Sequence, residues 1–117
     1  MNNTHATGGT AQEFSVLPES RVFLLPESAS FDVGASLGVP AITAHRALTV
    51  AEDGPSRLHP GALSGKVVLV AGGAGAVGHA AIQLARWAGA TVSTTVSGEE
   101  KARLASAAGA NDVVNYR

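Results

Sequence analysis

Gly73, Gly75 and Gly78 stand at the spacing G-x-G-x-x-G, directly after the apolar run Val67, Val68, Leu69 and Val70. An alanine-rich helical pattern opens at once behind them. Strand, glycine turn and helix N-terminus in that order make an anion site suited to a diphosphate. The first glycine permits the tight turn, the second lets the backbone approach the diphosphate, and the third allows close helix–strand packing. Free N–H groups of the helix's first turn and the helix dipole both favour the anion. A chain with 14 glycines also offers a plainer reading, a glycine-rich turn without a ligand. The strand before, the helix after and a second strand at the right distance favour the nucleotide.

In such a site the end of the second strand meets the adenosine ribose, where an Asp or Glu selects NAD. Here that position reads Thr95, Val96, Ser97, Gly98, with no acid. Ser97 can donate to a phosphate, Gly98 leaves its N–H accessible, and Lys101 supplies positive charge one turn on. This combination favours NADPH. Glu99 and Glu100 carry the opposite sign nearby and argue against it. Lys101 also reads as a solvated helix lysine, but a cation in a first helical turn opposes the dipole, which asks for another reason. Tyr116 either reaches the same pocket or is a half-buried strand tyrosine.

The elements that must position these groups follow from periodicity. Residues 67–70 read as a strand buried on both faces. On the helix from 76 to 88, Val77, Ala81, Leu84 and Ala88 share the face expected to cover the sheet, with His79, Gln83 and Arg86 opposite. Gly89 is the expected stop. The β-branched run 91–96 is a second strand. Ser97 with Glu100 predicts a capping box for a helix to Ala108, which Gly109 ends. A third strand begins at Asp112. The β-α-β-α-β pattern with short links implies a parallel sheet, the first half of a Rossmann-type α/β fold.

Before the central strand the pattern is less regular. Residues 1–10 read as a loose polar terminus. Residues 12–17 and 21–25 read as two short extended pieces around a turn at Pro18, Glu19 and Ser20. Ser30 caps a helix over 31–37; Gly38, Val39 and Pro40 break it, and Pro40 starts a second helix over 41–51. Residues 52–61 form a loop.

Composition excludes several classes of function. Net charge is −1 with scattered basic residues, so neither nucleic acid nor an anionic membrane surface is an expected partner. The chain has no cysteine, hence no disulfide or thiolate ligand, which fits a reducing cytoplasm. Its start lacks the pattern of a signal peptide, and no apolar run reaches membrane-spanning length. Hydrophobic residues at 45% allow a core, but aromatics at 4% mean that Val, Leu, Ile and Ala must build it.

Taken together, GGTAQEFSVLPESRVFLLPES, GASLGVPAITAHRAL, VVLVAGGAGAVGHAAIQLARWAGA, TVSGEEKARLASAAGA and DVVNYR resemble the zinc-independent, zeta-crystallin-like quinone oxidoreductases of the medium-chain dehydrogenase/reductase superfamily. The resemblance runs over nearly the whole chain from Gly8. It implies an NADPH site in which Gly73, Gly75, Ala76, Val77 and Gly78 form the pyrophosphate loop. Ser97, Lys101 and Tyr116 would hold the 2′-phosphate, and Thr43 would lie near the nicotinamide. Zinc-dependent relatives carry a cysteine ligand where Val39 stands, so no catalytic metal is expected. His5, His45, His59 and His79 are expected to be surface or packing residues rather than ligands. The resemblance also implies a fragment: residues 1–30 as a loose start and the tail of a GroES-like domain, residues 31–117 as a partial Rossmann domain. The exposed edge this leaves on the central strand predicts a homo-oligomer or poor solubility.

Three classes of function stay open on these grounds. One is NADPH-dependent hydride transfer to a quinone or α,β-unsaturated carbonyl. The second is a nucleotide-binding module without turnover, and the third a remnant that binds nothing strongly. An enoyl reductase piece of a polyketide synthase is the alternative within the first.

Overall fold

A computed structural model describes residues 11–117. The loose terminus expected at 1–10, and His5 within it, lie outside the described residues. The order is helix α1 (Phe31–Thr49), strand β1 (Val67–Val70), helix α2 (Ala76–Trp87), strand β2 (Thr91–Val96), helix α3 (Glu99–Ala107) and strand β3 (Asp112–Asn115). The sheet runs β1-β2-β3 and is parallel throughout. Val67 pairs with Thr91 and Val70 with Thr94; Ser93 pairs with Asp112 and Val96 with Asn115. This is the β-α-β-α-β half-Rossmann unit that the periodicity predicts.

Alternation along β2 shows which face carries the core. Val92, Thr94 and Val96 are buried, whereas Thr91 is exposed and Ser93 and Thr95 are half-buried. Helices α2 and α3 touch each other and both touch β2, so they cover a single side of the sheet. The core is correspondingly thin. Ile82, Val92 and Val96 are its largest fully buried apolar side chains, and Ala81, Ala85, Ala88, Ala90 and Ala105 let the backbones approach closely. Leu58 and Leu63, from the loop before β1, close one end, with Leu63 N–H donating to the Ala88 carbonyl at 2.8 Å.

Several expectations are corrected. Strand β1 is not buried on both faces: Val67 is 73% and Leu69 70% exposed, because both helices lie on the other side. A run of four apolar residues does not distinguish one covered face from two. The buried stripe of α2 is Gly78, Ala81, Ile82 and Ala85, continued by Ala88. Val77 lies largely outside it, while Leu84 and half-buried His79 turn toward α1.

Helix α1 is continuous, not two helices broken at Gly38-Val39-Pro40. Pro40 sits inside it and forgoes only the bond to the Ser36 carbonyl. Packing of α1 along α2, centred on fully buried Ala44, carries the helix past that missing bond. Ser30 caps α1 as expected, its Oγ accepting from Val33 N–H at 3.2 Å. The capping box at α3 does not form: Gly98 is the N-cap, without a side-chain cap bond.

The turn at Pro18-Glu19-Ser20 is present as a short 3-10 helix, Glu19–Arg21, closed by Arg21 N–H on the Pro18 carbonyl at 2.8 Å. The extended pieces on either side pair with no strand among the described residues. Phe14, Val16, Phe23 and Leu24 on them are almost fully exposed. No helix among the described residues is long and apolar enough to cross a membrane.

Candidate functional site

The chain leaves β1 through Gly72, whose φ of +70° only glycine adopts without strain. Tight-turn geometry therefore belongs to Gly72, one residue before the motif's first glycine. Gly73 has a different duty. A Cβ there would run into the Thr94 side chain and come within 2.8 Å of Ile82 Cδ1. At Gly78 a Cβ would strike the Gly72 carbonyl and come within 3.1 Å of Gly73 Cα, so the third glycine seats the helix on the turn itself. Gly75 meets only the Gly72 carbonyl at 3.4 Å, ordinary contact. Its missing side chain serves the open side of the loop.

Two threonines at the end of β2 hold this turn. Thr94 Oγ1 donates to the Val70 carbonyl at 2.6 Å and is fully buried. Thr95 accepts twice: Gly72 N–H donates to its Oγ1 at 3.2 Å and Gly73 N–H to its carbonyl at 3.1 Å. Gly75 caps α2 and its own N–H donates to the Gly72 carbonyl at 3.0 Å. Among the described residues no backbone carbonyl accepts from Ala76, Val77 or Gly78 N–H, as the start of a helix requires.

Beside the turn lies a cleft of about 270 Å³ that brings together Gly72, Gly75, Thr95, Ser97, Lys101 and Tyr116. Lys101 Nζ donates to Ser97 Oγ at 2.9 Å across one helical turn. The contact explains both the failed capping box and the cation at a helix start. Ser97 takes the lysine as partner instead of the helix amides, and among the described residues Lys101 is the one charged side chain that lines the cleft. Glu99 is turned away, paired with Arg103 at 3.8 Å on the surface, and neither Glu99 nor Glu100 lines the cleft. Tyr116 continues the ladder beyond β3, its N–H donating to the Val96 carbonyl at 3.1 Å, and the residue is 64% exposed.

The remaining expected site residues are distributed elsewhere. Gly73 and Gly78 are buried beneath the turn, and Val77 stands on the exposed side of α2. Ala76 lines a second groove, about 590 Å³ between α1 and α2, with His79 and Trp87. Thr43 is exposed on α1 and lines neither space. His45 is exposed on the same helix, and His59 Nδ1 donates to the Pro60 carbonyl at 3.0 Å. No group of three or more His, Cys, Asp or Glu side chains among the described residues could hold a metal ion.

Sequence reasoning missed Gly72, Thr94 and Thr95. Thr94 counted there only as a β-branched strand former, and Thr95 only as the non-acidic start of the position that meets the ribose. Nothing local links position 95 to position 72, and that link exists only once β1 and β2 pair in register. A hydroxyl-bearing pair at the end of the second strand is the signal available.

Comparison with known proteins agrees with this geometry. The family described as zinc-binding dehydrogenase matches residues 76–117. Human quinone oxidoreductase is 37% identical over 112 residues, 95% of this chain and 31% of the relative. The chain belongs to the quinone-oxidoreductase-like group of the medium-chain dehydrogenase/reductase superfamily. This quinone-oxidoreductase-like chain thus spans about a third of the length of the curated relatives it matches. The quinone oxidoreductase of Thermus thermophilus, whose structures include a complex with NADPH, superposes with a TM-score of 0.72. It is 35% identical over 86% of this chain and 30% of that one. A highly reducing polyketide synthase of Penicillium roqueforti is 44% identical over 90 residues, 77% of this chain and 4% of the synthase.

Proposed function

We propose that this chain supplies the adenosine-side half of the NADPH site in a zinc-independent reductase of quinones or α,β-unsaturated carbonyls. One observation carries the reading: Lys101 and Ser97, joined at 2.9 Å, share a cleft with the Gly72–Gly75 backbone, and among the described residues no carboxylate lines that cleft. Cation and hydroxyl suit a 2′-phosphate, and an acid at this place would repel it.

The residues divide the work. Gly75 leaves room for the diphosphate, and the amides of Ala76, Val77 and Gly78 add the positive end of the α2 dipole. Ser97 and Lys101 bind the extra phosphate, and Tyr116 flanks it. Thr43 near the nicotinamide rests on the family resemblance alone. Bound NADPH would supply a hydride to the acceptor. Val39 offers no donor atom to a metal, so the acceptor's carbonyl is polarised by hydrogen-bond donors.

The same reading makes residues 1–30 the end of a GroES-like domain and residues 31–117 the first part of the dinucleotide domain. A homo-oligomer in the cytoplasm fits the edge of β1 that no strand among the described residues pairs with, and the cysteine-free sequence. A second reading, an enoyl reductase segment, is favoured by the match to the polyketide synthase.

Titration of the chain with NADPH and NADH separately, followed by addition of a quinone with nicotinamide absorbance as readout, tests the proposal. Preferential NADPH binding supports the site, and turnover supports the reductase. Equal or absent binding of the two nucleotides counts against it.

A further inference from the structure

Thr95 has hydrogen-bonding capacity that the fold does not use. A hydroxyl offers one donor and two acceptor positions. Thr95 Oγ1 accepts from Gly72 N–H at 3.2 Å, and among the described residues it donates to no protein group. The side chain sits near the end of β2 on the face that α2 and α3 leave uncovered, and it lines the same cleft as Gly75 and Ser97. Its neighbour Thr94 is the contrast. That hydroxyl points into the core and spends its proton on the Val70 carbonyl.

We infer that Thr95 is a nucleotide-binding residue that donates its hydroxyl proton to an oxygen of the part common to NADPH and NADH, the diphosphate or its adjoining ribose. This rests on the nucleotide reading above and extends it. The bond from Gly72 N–H orients the hydroxyl, because an oxygen that accepts on one side presents its hydrogen elsewhere. Thr95 is tied to the turn through Gly72 and Gly73, whereas Lys101 belongs to α3 and to Ser97. The two groups therefore serve different parts of the ligand: Thr95 the shared part, Lys101 the 2′-phosphate.

Calorimetric titration of the full chain with NADPH and NADH, in unsubstituted, Thr95→Val, Thr95→Ser and Lys101→Ala forms, separates these roles. Valine keeps the shape and β-branching of threonine and removes only the hydroxyl. Thr95→Val is expected to weaken both nucleotides by the same factor, roughly 5- to 30-fold. Thr95→Ser should stay within about threefold of the unsubstituted chain, as one retained hydroxyl requires. Lys101→Ala should weaken NADPH alone. Thermal melts accompany each titration, since a purely structural role for Thr95 would lower the melting temperature and leave the affinity of the folded fraction unchanged. Unaltered affinity in Thr95→Val, a loss confined to NADPH, or no rescue by serine overturns the assignment of Thr95 alone. If the unsubstituted chain binds neither nucleotide, the underlying nucleotide reading falls, and this assignment with it.

Discussion

Gly73 lies against Thr94 so closely that the threonine side chain occupies the space any Cβ at position 73 would need. The first glycine of the motif is thus a packing residue between turn and second strand. Gly75, two residues on, has open surroundings. Gly73→Ala should accordingly destabilise the fold by about 1–3 kcal/mol through overpacking. Gly75→Ala should melt like the parent yet bind NADPH roughly tenfold more weakly, the loss of about one hydrogen bond's worth of approach. Differential scanning calorimetry and nucleotide titration on the two variants check this; equal melting temperatures would contradict it.

Thr94 itself makes a second, separable contribution. Its buried hydroxyl reaches the Val70 carbonyl at 2.6 Å, the last residue of β1 before the turn. Thr94→Val keeps the volume and strips that carbonyl of its partner, for an expected loss of about 1–2 kcal/mol. Urea denaturation should show a lower midpoint with an unchanged slope, because the surface buried on folding is the same.

Charge at the cleft is expected to set the choice of nucleotide. Lys101→Glu should weaken NADPH by about 10- to 100-fold, the range for a hydrogen bond to a charged group, and leave NADH close to its original affinity. The NADPH affinity of the unsubstituted chain should fall as salt rises, since Lys101 is exposed and its attraction is screened. A nucleotide preference indifferent to residue 101 would place the discrimination elsewhere.

The uncovered side of the sheet predicts association. Among the described residues β1 pairs with β2 on one edge only, and Val67 and Leu69 project from its open face. Such an edge templates pairing with another chain. Sedimentation velocity on the purified chain is expected to show species heavier than 11.7 kDa, and Leu69→Lys should shift the distribution toward monomer. A single monomer boundary for the unsubstituted chain at moderate concentration would contradict this.

Residue types and spacing alone determined the β-α-β-α-β order from β1 to β3, the glycine turn between Val70 and Ala76, the Ser30 cap and the stop at Gly89. Each of these is set by neighbours within a turn or two, where backbone sterics and hydrogen-bond supply leave few choices. That Ser97 and Lys101 lie together was equally legible, because they are four residues apart on one chain segment. Tertiary structure decided the rest. Parallel pairing of β1 with β2 brings Thr94 and Thr95 onto a turn more than 20 residues earlier, and that contact redistributes the duties of Gly72, Gly73 and Gly78. Packing on α2 carries α1 through Pro40. A period of two residues separates the faces of β1 but does not say which face is covered; only the placement of both helices on one side answers that.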